Sequence, residues 1–291
     1  MVLRRYPLYS GAGTLANSSF VTALAGASEE CAWCPTQGGD VRASLRDYVG
    51  RAAFYCGDLD PKISWVCRKL VSPGDIACDI GANIGIITLL LSKLVGEHGK
   101  VYAFEPNPDC CEALNAALIH NRITNVEAHR FALGAVDEER ELLIPSKNAG
   151  AGSFTRPTDG SEGRALPVSV RTLDQFVSEN KIQNIQFIKI DVEGFESEVL
   201  KGSIKVLGSL RPGAILFEMN ERFDGVLASH PVFKILLDFD YAFLSLPKGL
   251  LNVRPRALNP EVVTDLPGHD VIAVPKGECF QRAVLRMNAQ A

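Results

Sequence analysis

The stretch CDIGANIGIIT, Cys78 to Thr88, joins an apolar strand pattern to an apolar helix pattern through two glycines and an asparagine. A plain structural connection does not need that turn. Gly81 lets the backbone bend sharply and approach a neighbour without a Cβ clash. The helix that follows offers unpaired N–H groups and positive potential at its start. Asp79, at the strand end, suits a cationic group better than a phosphate. The pattern is DxGxNxG, with Gly85 where a GxGxxG dinucleotide fingerprint would not put its last glycine.

Outward from this turn, strand and helix alternate. DIACDI, KVYAFE and VEAHRFAL read as strands. Ile84 to Leu94 and PDCCEALNAALIHN read as the helices between them, with Asn107 and Asp109 as candidate caps of the second. This β-α-β-α-β order is that of a doubly wound parallel sheet. EERELLIP reads as a hairpin strand. Ser146 to Ala165 is rich in Gly, Ser and Thr and reads as a long functional loop. The alternation resumes with LPVSVRTL, a helix at TLDQFVSEN, the strand IQFIKI and a helix from Phe195 to Leu207. GAILFEM, VFKILLDF, YAFLSL and DVIAVP complete it as strand, helix, strand and strand. Tyr48 to Leu70 reads as a helical and extended segment covering the sheet.

Ligands of such sheets bind beyond the carboxyl ends of the strands. Glu105 ends the second strand, about twenty residues after the turn, where an acid accepts from ribose hydroxyls. Asp191 ends IQFIKI, Glu193 follows in the turn, and Glu218 ends GAILFEM, so all three belong to the same rim. Glu196 opens a helix, where the helix dipole alone favours an acid. A glycine turn with acids at two strand ends and no pyrophosphate fingerprint suits S-adenosylmethionine, an adenosine joined to a methionine that carries an ammonium and a sulfonium.

DIGANIG, FEPNP, FIKIDVEGFESEVLKGS and a strand ending in FEMN together resemble the FkbM-type methyltransferases, over about Tyr55 to Pro275. The resemblance implies a class I, S-adenosylmethionine-dependent enzyme acting mostly on hydroxyl oxygens. It implies cofactor contacts at Asp79, Gly81, Asn83, Gly85 and Glu105, and places Asp191 beside the methionine end; Asn107, in FEPNP, joins this set. The family's tyrosine–glutamate–proline element appears as GDLDP, with Asp60 in place of the glutamate. The expected fold is α/β, a Rossmann-like doubly wound, mostly parallel seven-stranded sheet. Residues 1–45 are expected to be a loosely structured N-terminal extension and residues 46–291 the methyltransferase domain.

Methyl transfer is an in-line displacement, so alignment supplies much of the acceleration. Asp191, Glu193 and Glu218 are candidate bases for the acceptor hydroxyl. They are also candidate ligands for a divalent ion that would acidify it; the metal-free route is favoured. The acceptor is expected to be a small-molecule, glycan or lipid hydroxyl. Its specificity is expected in the extension, in the loop 146–165 and in the segment 220–231. A non-catalytic S-adenosylmethionine-binding scaffold or sensor is the alternative, followed by a nicotinamide-dependent oxidoreductase.

Composition narrows the field. The chain has 291 residues, 46% hydrophobic and 22% charged, with a formal net charge of -4. That balance gives no electrostatic footprint for nucleic acid. No apolar run approaches the roughly 18 residues of a membrane span. Ser10, Gly11, Ser18 and Ser19 break the apolar stretch behind Arg4 and Arg5, which argues for an extension rather than a signal peptide. Of eight cysteines, only Cys31 and Cys34 have ligand-like spacing, and no second pair or nearby histidine completes a zinc site. The chain reads as cytoplasmic and reduced. His98, His120 and His129 read as structural or solvent-facing, and His269 as a turn residue.

Overall fold

The computed structural model describes residues 9, 11–25, 31–145, 152–154, 163–219, 225–247, 249, 252–264, 266 and 268–288. Most of the glycine-rich loop 146–165, and residues 220–224 of the segment 220–231, lie outside them.

Two short helices come first, α1 (Ala12–Ala16) and α2 (Ser19–Ala25). The antiparallel hairpin of β1 (Cys31–Pro35) and β2 (Asp40–Ser44) follows. Its sequence carries no sheet-domain signal, yet Cys34, Val41 and Ala43 are buried against Leu89, Leu114 and Ala117. Asn121 fastens it by accepting from Asp40 N at 2.9 Å and donating to Asp40 O at 2.7 Å. Residues 31–44, expected as part of a loosely structured extension, thus pack into the same core as the residues beyond 45. Cys31 is exposed and Cys34 buried; three residues apart on a strand, they point to opposite faces.

Helices α3 (Tyr48–Cys56) and α4 (Pro61–Leu70) begin at aspartate caps. Asp60 accepts from Lys62 N at 2.9 Å, with Pro61 at the first helical position. This gives the Asp60 of GDLDP a local structural role. Then come β3 (Ile76–Ile80), α5 (Ile86–Val95), β4 (Lys100–Phe104), α6 (Pro108–His120) and β5 (Val126–His129). Helix α5 is apolar nearly all round because it is covered on both sides.

VEAHRFAL does not run as one strand. After β5 the chain bends, and β6 (Ala132–Leu133) joins a separate three-stranded sheet with β7 (Glu138–Pro145) and β8 (Gly163–Arg171), in the order β6-β8-β7. Helix α7 (Leu173–Glu179) leads to β9 (Phe187–Ile190) and α8 (Glu196–Lys201). The expected helix from Phe195 to Leu207 breaks here. At Gly202 the chain passes so close to the Gly134 carbonyl that a Cβ would collide with it, and a separate π turn, Val206–Leu210, follows. Last are β10 (Ala214–Glu218), α9 (Pro231–Asp238), β11 (Tyr241–Ser245), β12 (Arg256–Leu258), β13 (Asp270–Pro275) and α10 (Glu278–Asn288).

The main sheet has the order β12-β11-β13-β10-β9-β3-β4-β5. From β10 to β5 all neighbours are parallel, while β13 pairs antiparallel with both β10 and β11. This is the Rossmann-like doubly wound sheet expected, with the three-residue β12 added at its edge. Apolar layers cover both faces, one around Phe104, Phe176 and Phe217 and the other around Leu91, Val101 and Ile272. No helix among the described residues is long and apolar enough to cross a membrane.

Candidate active site

Register brings the site together. Ile80 lies opposite both Phe104 and Ile190, and Ile190 lies opposite Phe217. The next residue on each of these four parallel strands is Gly81, Glu105, Asp191 and Glu218. Four segments far apart in sequence therefore end level, at the carboxyl edge.

Gly81 has φ 78°, and a Cβ there would run into the Asp191 carbonyl oxygen. The glycine thus allows β3 to turn against β9, a need that precedes any ligand. Gly81 N and Ala82 N both donate to Phe104 O at 3.0 Å. Asn83 has φ 52°, which asparagine tolerates better than most residues. Its backbone N–H donates to Glu105 Oε2 at 2.8 Å, and Asn107 N donates to Glu105 Oε1 at 2.8 Å. One buried carboxylate thereby ties two turns together. Burial raises the Glu105 pKa to about 7, against the lowering effect of those two N–H donors.

Three expected cofactor residues lie behind this wall. Asp79 is fully buried, accepts from Thr88 Oγ1 at 2.6 Å and has Oδ1 3.3 Å from Lys189 Nζ. Gly85, with φ 94°, caps α5, and a Cβ there would strike the Leu114 side chain. Asn107 is buried and caps α6 by accepting from Asp109 N at 3.0 Å.

On the β9 side, Asp191 Oδ2 lies 3.4 Å from Lys189 Nζ. Lys189 also donates to Gly81 O at 2.8 Å, so one buried ammonium joins Asp79, the glycine turn and Asp191. Burial by itself would lower the Lys189 pKa, but Asp191 and Asp79 outweigh it and raise it. Sequence reasoning passed over this residue; its signal was a single charge inside the apolar strand IQFIKI. Glu193 holds the left-handed conformation at φ 52°, and burial, then the nearby Asp191 charge, raises its pKa. Glu196 accepts from Val192 N at 3.2 Å and Gly194 N at 3.3 Å, so it fixes the turn. His269 accompanies this rim through Nδ1, 3.2 Å from Met219 O.

A cavity of about 200 Å³ opens over this edge. Gly81, Asn83, Glu105, Lys189, Asp191 and Glu193 form its polar side. Leu133, Leu142, Phe154 and Phe195 form an apolar side. Phe154 belongs to the described residues of the expected loop, where Ser153 Oγ donates to Glu193 O at 3.0 Å. Sequence patterns gave no sign that these apolar residues would meet the glycine turn. Such a cavity offers apolar contacts, carboxylate acceptors and negative charge to a ligand.

The methyltransferase FkbM domain profile matches residues 79–243, more than half of the chain. Over 138 residues the chain is 30% identical to the hexuronic acid methyltransferase AglP of Haloferax volcanii, covering 47% of this chain and 53% of that protein. Over 160 residues it is 29% identical to the 31-O-demethyl-FK506 methyltransferase FkbM of Streptomyces tacrolimicus, covering 45% and 60%. Over 205 residues it is 26% identical to the 2-O-methyltransferase NoeI of Sinorhizobium fredii, covering 64% and 82%. The chain thus spans little more than half the length of the first two.

Proposed function

The chain belongs to the family of methyltransferases with an FkbM domain, and from that premise we propose that it transfers the methyl group of S-adenosylmethionine to a hydroxyl oxygen of a small molecule, sugar or other metabolite. S-adenosylmethionine is the family's cofactor; when bound, it supplies a methyl carbon on a cationic sulfur.

Glu105 is the observation that carries this reading. A buried carboxylate is costly unless it is hydrogen-bonded, and Glu105 is both hydrogen-bonded and part of the cavity wall. Two backbone N–H groups hold both oxygens, and the lone pairs left over suit the two hydroxyls of a ribose. The backbone of Gly81 to Asn83 follows the sugar toward the methionine end, where Asp191 would take the ammonium. Leu142 and Phe195 offer an apolar seat for an adenine ring.

With Asp191 on the ammonium, Glu193 and Glu218 are the proposed proton acceptors on the acceptor side. Glu193 has particular merit because its raised pKa makes its carboxylate a stronger base. Its role would be to take the proton from the acceptor hydroxyl as that oxygen attacks. Phe154 and Phe195, on the apolar side of the cavity, would limit the access of water to the methyl group.

The test is incubation of the chain and candidate extracts with methyl-labelled S-adenosylmethionine, with the product identified as a methyl ether by mass spectrometry. On that acceptor, Glu193→Gln or Glu218→Gln should keep cofactor affinity and turn over about 10²–10⁴-fold slower. Wild-type rates for the amide variants at Asp191, Glu193 and Glu218 alike would make the acidic block structural.

A further inference from the structure

A second cavity, of about 320 Å³, adjoins the first. The two share a wall that includes Asp60, Lys189, Asp191 and Glu193. Gly11, Gly13 and Thr14 line the new cavity from the N-terminal segment. Across its inner side runs a row of carboxylates. Asp191 and Glu218 end neighbouring parallel strands, and Glu218 lies opposite Asp270 in the antiparallel pair of β10 and β13.

Lys62 stands over the end of this row. It lies in the first turn of α4, is 3% exposed, and donates to Asp270 Oδ2. Asp270 is also buried, at 6%. The Oδ2 atom of Asp60 is 3.8 Å from Lys62 Nζ, beyond hydrogen-bond reach. An ammonium has three donors, so Asp270 leaves it with capacity toward the cavity it lines. Stability gives little reason for the pair, since apolar side chains of similar volume often serve as well as a buried ion pair. Burial alone would lower the Lys62 pKa, but Asp270 and Asp60 raise it, so the group stays charged.

We propose that this second cavity takes the methyl acceptor, that Lys62 donates to an acceptor oxygen, and that the acceptor is a neutral polyhydroxyl compound. The proposal rests on the methyltransferase reading above. Charge selects the class. Asp60, Asp191, Glu193, Glu218 and Asp270 outnumber Lys62 and Lys189 around the cavity, so an anionic acceptor meets repulsion. An ammonium placed beside Lys62 would be repelled by it and has no lone pair to accept its N–H. A hydroxyl satisfies both kinds of wall, because it accepts from Lys62 and donates to a carboxylate of the row. One hydroxyl held by Lys62 would set a neighbouring hydroxyl for methylation.

The test uses the full chain saturated with S-adenosylhomocysteine and observed by saturation-transfer NMR. The probes are methyl glucoside, methyl glucuronide and methyl glucosaminide, each at millimolar concentration. The glucoside should give the strongest transfer. Lys62→Met should weaken its binding about 10- to 100-fold, as loss of a charged donor does, and Lys62→Arg should restore part of it. Because Lys62→Met leaves Asp270 buried without its partner, the double variant Lys62→Met/Asp270→Asn is measured alongside; unchanged S-adenosylhomocysteine affinity reports its folding. Equal or stronger transfer to the glucuronide or the glucosaminide, no transfer to the glucoside, or full glucoside binding in the double variant would each overturn the proposal. Failure of the wild-type chain to bind S-adenosylhomocysteine would remove the methyltransferase reading on which it stands.

Discussion

Around Glu105 the cavity wall comes from two turns, 81–84 and 105–107, and both donate backbone N–H groups to one carboxylate. Around Lys62 the wall comes from α1, α4, β10 and β13, which lie far apart in the chain. At Glu105 the first wall is fixed by backbone N–H groups of those two turns. The second is made largely of side chains, and its row gains Asp270 because β13 pairs with β10 in one register. A cofactor site of the first kind shows itself as a short motif. An acceptor site of the second kind has no motif, and its specificity can change one side chain at a time.

The sharpest way to break this contrast is Gly81→Val. A β-branched side chain at φ 78° is strained, and its Cβ would displace the Asp191 carbonyl, which belongs to the wall shared by both cavities. Urea denaturation should show a loss of about 3 kcal/mol or more, together with loss of S-adenosylhomocysteine binding. Wild-type stability with binding alone abolished would mean that the glycine serves ligand approach and not the β3–β9 contact.

Glu105→Ala should act on one cavity only. Removing a charge-assisted acceptor should weaken S-adenosylhomocysteine binding by about 1–3 kcal/mol in calorimetry. An equal loss in Lys62→Met would erase the distinction between the walls.

A smaller effect is the pH dependence. The folded Glu105 pKa of about 7 lies above the ordinary glutamate value of 4.5. Between those values the folded chain holds a proton that the unfolded chain releases, so the cofactor-free protein loses stability as pH rises through that window. Glu196, also raised to about 7, contributes with the same sign. Ribose hydroxyls donating to Glu105 favour its ionised form, so S-adenosylhomocysteine affinity should rise with pH and level off above about 7. Glu105→Gln should flatten that rise; a rise that persists in the variant would assign it to another group.

The core of the parallel half and its acidic edge were legible because β3, β4, β9 and β10 are short, largely apolar runs that lead into a charged or glycine residue. Direction of use was harder to read. Asn107 precedes Pro108 and Asp109, a helix-start signal as much as a ligand signal, and it caps α6. Asp79 and Gly85 sit in the motif, but their contacts are Thr88, Lys189 and Leu114, internal partners that no local pattern reveals. Lys189 was visible as a charge in a buried strand, yet its three partners come from β3, the glycine turn and its own strand end. The hairpin of β1 and β2 had no signal because its burial depends on α5 and α6. Helix α10 did carry one, with Phe280, Ala283, Val284 and Met287 at helical spacing against α4 and the sheet. The break at Gly202 follows from a chain crossing at Gly134, a contact between segments about seventy residues apart that helical periodicity does not encode.

The central claim is that the Glu105 wall is an S-adenosylmethionine site and not a dinucleotide site. Parallel calorimetric titrations of S-adenosylhomocysteine and NAD into the wild-type chain test it most directly. The account predicts saturable binding of S-adenosylhomocysteine and no measurable heat from NAD. Tight NAD binding, with none of S-adenosylhomocysteine, would contradict it.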